Sequence, residues 1–480
     1  MKKFFSRVQY KCPWALAIAI FFLAASPTHT AAPQRKPNIL FLLTDQWRAD
    51  ALGYTGDPNV KTPNIDRLAT QGVNFTHAVA GCPVCCPTRA SLMTGQRPLT
   101  HGVFMNDVPL PDEAVTVAEV LAASGYLTGY IGKWHLDGRG RLSYTPPRRR
   151  QGFKYWKAVE CTHNYNESYY YADSPEKRKW KGYDAISQTR DAQAYIREHA
   201  HGDKPFFLFL SWGPPHAPYD TAPAKYRALY KPSEIKVRPN IEPSYLQKAR
   251  ENLAGYYAHA TALDDCVANL RMTLAETGIA ENTILVFTSE HGDLLGSHGF
   301  YKKQQPYEES IRVPLLIHYP KGLGMEARTL DAPINSEDIM PTLLGLCGVE
   351  IPTSVEGLDY SGYLRGEENP SDGTALITCP QPFGQWSRKR GGREFRGIRT
   401  SRYTFTRDLK GPWLLFDNEK DPFQLDNLAN RSEHAKLQAK LDAILQRKLE
   451  ETQDEFLPGK AYIEKWGYLI DATGTVPTRK

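Results

Sequence analysis

Three residues of the stretch Cys82-Pro-Val-Cys-Cys-Pro-Thr-Arg-Ala-Ser-Leu-Met-Thr-Gly95 stand at a spacing that suits an anion. They are Cys85, Pro87 and Arg89, just before a short apolar helix. Proline is tolerated in the first turn of a helix, where its missing N–H would have had no partner, so Pro87 predicts Cys85 just ahead of a helix N-terminus. Free N–H groups and the positive pole of the dipole face that end. Arg89, about one turn along, adds a planar charge able to grip two oxygens of a tetrahedral oxyanion. The chemistry expected of this stretch is the binding of a tetrahedral oxyanion.

Other polar residues follow strand-like runs. Pro37-Asn-Ile-Leu-Phe-Leu-Leu-Thr44 is a continuous apolar run of strand length, the pattern of a parallel strand buried on both faces, and Asp45, Gln46 and Asp50 lie at its end. Similar runs span Tyr126 to Gly132, Phe206 to Ser211, Ile284 to Ser289 and Val313 to Tyr319, with helical stretches at Val115 to Ser124 and about Tyr245 to Thr277. This alternation predicts an α/β fold, a large doubly wound and mostly parallel sheet flanked by helices. In such sheets ligands lie at the carboxyl ends of the strands. The texture turns to Gly, Pro and acidic residues around Gly362 to Pro370, which predicts a catalytic domain over residues 36–365 and a smaller C-terminal α+β subdomain over 366–480. Strand-like runs at Arg399 to Thr406 and Trp413 to Phe416 and an amphipathic helix near Glu433 to Thr452 would build that subdomain.

Four further motifs stand in order with the first. Gly132-Lys133-Trp134-His135 and Gly213-Pro-Pro-His216-Ala-Pro each follow a strand. Thr288-Ser-Glu290-His291-Gly-Asp293 ends another, and Lys303-Gln-Gln-Pro-Tyr307-Glu308-Glu309-Ser310-Ile-Arg-Val-Pro314 comes next. Together these segments resemble type I sulfatases, of the alkaline phosphatase superfamily, whose nucleophile signature reads C-x-P-S-R-x-x-x-x-T-G. Thr88 takes the serine position, while Cys85, Pro87, Arg89, Thr94 and Gly95 match. The resemblance spans roughly residues 37 to 430 and includes the segment Phe416 to Leu428.

That resemblance implies that Cys85 is converted to formylglycine (3-oxoalanine) by a formylglycine-generating enzyme. The hydrated aldehyde would attack sulfur in line, and the alcohol would leave protonated by His216 or Lys303. His135 would then take a proton as sulfate is expelled, an exit that serine or a plain thiol lacks. Asp45, Gln46, Glu290 and His291, with residue 85, would hold a divalent metal, and Arg89, Lys133 and Lys303 would offset charge on the sulfuryl oxygens. Two positions depart from the family: Gln46 stands where many members carry Asp, and Glu290 where they usually have Asp. Calcium is the expected ion, with magnesium or another divalent metal open. Two rival readings share these features: a phosphate or phosphonate ester hydrolase of the same superfold, and a sulfatase-like protein that binds sulfated glycan without turnover.

Composition bounds the rest. The N-terminus carries Lys2, Lys3, Arg7 and Lys11, then an apolar run from Trp14 to Ala24 and small residues to Ala32, which reads as a cleaved signal peptide over 1–32. A periplasmic or secreted protein without stable membrane insertion is expected. Losing the leader lowers the formal charge from +6 to +2, so local patches must carry any argument about anionic partners. One basic run contains Arg390, Arg393 and Arg396, expected to read sulfate or carboxylate groups on neighbouring sugars. For an exported enzyme a sulfated polysaccharide fits these patches better than nucleic acid. The segment Trp156 to Tyr183, rich in Tyr and Trp, reads either as aromatic walls for sugar rings or as a packed excursion. Eight cysteines are too sparse for a disulfide scaffold, although a bridge among Cys161, Cys266, Cys347 and Cys379 is open.

Overall fold

Strand β1, Asn38–Asp45, shows how the chain divides its core. Successive side chains of a strand point to opposite faces. Ile39, Phe41 and Leu43 accordingly join one buried apolar cluster, and Leu40 and Leu42 join another. Each such side chain contributes about 1.5–3 kcal/mol by burial. Leu42→Ala alone would therefore cost roughly 2–5 kcal/mol.

The structure, a computed structural model, describes residue 9 and residues 35–477. Apart from Gln9, the segment read as a signal peptide lies outside the described residues. The described residues from Lys36 onward form one compact unit.

Around β1 run β2 (Val73–Phe75), β3 (Leu127–Lys133), β4 (Tyr155–Val159), β5 (Phe206–Pro215), β6 (Thr283–Ser289), β7 (Leu315–His318) and β8 (Arg328–Leu330). The sheet order is β8-β2-β7-β6-β1-β5-β3-β4. Strand β1 pairs in parallel with β5 and β6, and β3 with β4 and β5. Only β7 runs against its neighbours. One face is covered by helix α1 (Cys85–Thr94), whose residues are all buried. The other is covered by α2 (Asp184–His199) and the 31-residue α3 (Leu246–Glu276).

A C-terminal antiparallel sheet follows: β9 (Thr374–Cys379), β10 (Phe395–Thr400), β11 (Tyr403–Asp408) and β12 (Gly411–Asp417). The run expected as one strand from Arg399 to Thr406 is instead two strands joined by a turn at Ser401 and Arg402. Alternation gives this sheet two tasks. Ile398, Phe405 and Leu415 meet Leu441, Leu445 and Leu449 of α4 (Ala435–Glu451), one stripe at four-residue spacing. Ala375, Ile377 and Phe395 face Val79 and Ile311 from earlier in the chain. On β10, Arg396 points with Ile398 and ion-pairs Asp454, whereas Arg399 points the other way and grips Glu308 through two bonds of 2.7 and 2.9 Å. Among the described residues all seven cysteines are free thiols.

Candidate active site

Parallel strands end on one side of a sheet, and here their ends deliver the expected residues. Asp45 closes β1, Lys133 closes β3, His216 follows Pro215 at the end of β5, and Glu290 and His291 follow Ser289 at the end of β6. Two local devices turn the chain there. Gly132 (φ 108°) passes so close to β5 that a Cβ would lie 1.9 Å from Ser211 O, which only glycine avoids. Gln46 and His135 take left-handed backbone angles, φ 73° and 61°, a conformation costly for non-glycine residues and concentrated at functional sites. Cys85 is the first residue of α1 rather than the residue ahead of it, with Val84 as the cap. Pro87 still fits, because the first turn needs no N–H from it.

Asp45, Cys85, Glu290 and His291 each bring one ligating atom to within 4.8 Å of the others. The His291 Nδ1–H donates to the Gly292 carbonyl at 3.0 Å, so its Nε2 lone pair is turned to Asp45 Oδ1 at 3.6 Å and Glu290 Oε1 at 3.5 Å. Asp45 Oδ1 and Glu290 Oε1 are buried and find no hydrogen-bond donor. Electron-rich atoms left facing one another in a dry site fit a divalent cation. Burial, followed by the charges of Asp45 and Cys85 beside it, pushes the Glu290 carboxyl well up, Arg89 opposing.

Cations ring this group. Lys133 Nζ lies 2.5 Å from Asp45 Oδ2 and 3.6 Å from Glu290 Oε1. Against burial, the charge of Lys133 foremost, with that of Lys303, holds Asp45 well below the carboxylate range. Burial and Asp45 raise the Cys85 thiol, yet Lys133, Lys303 and a His135 hydrogen bond bring it well below its ordinary range. Lys303 Nζ donates to Gln46 Oε1 at 2.8 Å and contacts His216 Nε2 at 2.9 Å. The Gln46 amide donates in turn to Asp293 Oδ2 at 2.6 Å, so the glutamine sits inside a polar chain rather than beside an open carboxylate.

Arg89 reaches protein partners through Nη1 and Nε, while its buried Nη2 finds none. Its Nη1 donates to the Lys133 carbonyl at 2.7 Å and Ser211 Oγ at 2.9 Å, and its Nε lies 2.6 Å from Glu290 Oε2. It ties α1 to two strand ends and steadies Glu290. Arg396 departs from expectation: it is fully buried, held by Asp454 and Tyr462, and presents no charge to a glycan. Arg393 is exposed but ion-pairs Asp408 at 2.8 Å and lies over Trp413, and Arg390 is exposed on a turn. None of the three touches the group around Cys85. The subdomain does approach the loop before Lys303, where Trp386 packs edge-on against Phe300 at 5.0 Å.

Asp107 was not visible as a site residue. Its Oδ1 lies 3.1 Å from His135 Nε2, and Arg141 binds the same carboxylate with contacts of 3.0 and 2.8 Å. It belongs to no motif, and a lone aspartate in a loop carries no signal; only its left-handed φ of 65°, a structural fact, marks it.

A family model described as "Sulfatase" matches residues 37–349, and one described as "N-sulphoglucosamine sulphohydrolase, C-terminal" matches 296–453. The chain belongs to the sulfatase family. An ulvan-active sulfatase of Formosa agariphila is 45% identical over 468 residues, covering 95% of this chain and 90% of that protein. An endo-4-O-sulfatase of Bacteroides thetaiotaomicron is 28% identical, covering 84% and 90%. A solved structure of a protein from glycosaminoglycan metabolism in Bacteroides thetaiotaomicron superposes with a TM-score of 0.80 at 28% identity, covering 90% of this chain and 98% of that one. The protein is a sulfuric ester hydrolase with an alkaline-phosphatase-like fold.

Proposed function

We propose that the protein is an exported sulfatase acting on a sulfated polysaccharide, with Cys85, oxidised to formylglycine, as its nucleophile and calcium as its metal. The observation that carries this reading is the meeting of Cys85 with Asp45, Glu290 and His291 inside a ring of Lys133, Lys303 and His216. Similarity to an ulvan-active protein over nearly the whole chain supports a polysaccharide substrate. The basic, apolar leader supports export, and among the described residues no helix is long and apolar enough to cross a membrane.

When present, the hydrated aldehyde supplies a nucleophilic oxygen with a route for sulfate release, and the metal draws charge from the sulfuryl oxygens. Asp45, Glu290 and His291, with the Gln46 carbonyl, would hold the ion. Lys133 and Lys303 set two positive charges beside the reacting group. Because a carbonyl can only accept, the His216 Nδ1 next to Ala217 O at 2.8 Å bears the hydrogen, and Nε2 accepts from Lys303. The proton for the departing alkoxide is therefore stored on Lys303 and steered by a neutral His216. His135, donating Nε2–H to Asp107, keeps Nδ1 as a base for residue 85.

Peptide mass spectrometry across Cys85, on protein made with a formylglycine-generating enzyme, should show loss of sulfur and gain of an aldehyde. The converted protein should release inorganic sulfate from ulvan oligosaccharides, and Cys85→Ala should not. An unconverted Cys85 under conditions that convert another sulfatase would overturn the nucleophile. Conversion with no sulfate release from any sulfated glycan, alongside turnover of phosphonate monoesters, would overturn the substrate.

A further inference from the structure

The excursion after β4 spends most of its rings inside the fold. Tyr165, Trp180 and Tyr183 are buried, Tyr170 stacks on Trp180, and Tyr183 bonds His259 at 2.6 Å. His163 is the exception. The residue is exposed, yet its ring lies flat on His216, with centroids 4.5 Å apart and planes 3° from parallel. It is also close enough to Lys133, Asp45, Lys303 and Cys85 to feel their charges.

His216 is fixed in its own plane by two contacts, Nδ1 to the Ala217 carbonyl and Nε2 to Lys303. A ring held only at two edge atoms can still rock about the line between them. A second flat ring on its face stops that motion, and His163 is placed to do so. His163 is held in turn by its neighbour Cys161, whose Sγ lies 3.8 Å from its Nε2.

We propose that His163 is a positioning residue for protonation of the leaving group, acting by fixing the plane of His216 so that the proton shared with Lys303 is aimed at the departing oxygen. This rests on the assignment of Lys303 and His216 to that proton transfer. It matters for sugar alkoxides, which need a proton to leave, and hardly for nitrophenolate, which leaves as an anion.

The test compares wild type, His163→Ala, His163→Phe and His216→Ala, all carrying formylglycine, on aryl sulfates from 4-nitrophenyl to phenyl sulfate and on a simple alkyl sulfate. His163→Ala should lose about tenfold in kcat on the poor leaving groups and little on 4-nitrophenyl sulfate, with KM unchanged. His163→Phe, which keeps a flat ring, should recover most of that loss. A loss uniform across the series, no loss, or a Phe variant no better than Ala would overturn the proposal. His216→Ala separates the two layers of the argument. If it too loses uniformly, the proton-transfer assignment falls and the stack's role with it. If it is selective and His163→Ala is not, only the stack's role falls.

Discussion

The Asp107 carboxylate lies 3.1 Å from His135 Nε2 and is gripped on its other side by Arg141. Its pKa is lowered although burial opposes this, through His135 and Arg141, so it is an anion at any working pH. An imidazole so oriented keeps one tautomer. Asp107→Asn should lower kcat by about 10- to 100-fold while leaving calcium affinity unchanged. Steady-state kinetics beside calorimetric calcium titration would check it, and loss of metal binding would place Asp107 in the wrong role.

Removing divalent metal should cost stability as well as activity. Asp45 and Glu290 would then face each other with unsatisfied oxygens in a dry pocket. Bound ion at about 100 times its Kd stabilises by about 2.7 kcal/mol. Chelator-treated protein should melt several degrees lower and recover with calcium, and Asp45→Asn should show no such recovery.

Acid should loosen the contact between the C-terminal sheet and the segment around Glu308. Burial raises the Glu308 pKa, but Arg399 outweighs it, and the carboxyl falls from 4.5 to about 2. A depressed carboxylate lends stability that is full above the unfolded value and is lost as pH falls through the folded one. About 3 kcal/mol should therefore disappear between roughly pH 4.5 and 2. Denaturant unfolding across that range should show the decline, and Arg399→Met should flatten it while lowering stability at neutral pH.

Arg396→Ala should destabilise by roughly 3–5 kcal/mol, because it leaves Asp454 buried and unpaired. Its KM for sulfated glycan should match wild type once folded protein is compared. Arg390→Ala, on an exposed turn, should leave stability unchanged, which thermal melting can verify.

These outcomes trace how much the chain discloses before it folds. Strand β1 was legible because burial on both faces demands an unbroken apolar run, and the residues at strand ends were legible because the motifs name them. Roles set by a partner far away in sequence were not. The spacing of Arg89 gave no sign that Glu290, two hundred residues on, would meet its Nε. Arg396 and Arg399 look alike in a basic run, and only the alternation of β10 sends one inward to Asp454 and the other to Glu308. The antiparallel β7 was hidden for a similar reason, since an apolar run does not record its direction.

Cys85 opens a helix buried along its whole length. In the folded molecule Cys85 is only 3% exposed and its backbone is locked in a helix, so another enzyme could not draw it into its own active site as an extended peptide. Any maturation of Cys85 must win a race against folding, while the segment is still an extended peptide and its covering strands, some synthesised two hundred residues later, have not closed. On the reading proposed above, a chain that folds before conversion would be stable yet idle, so expression yield and active fraction would be independent quantities.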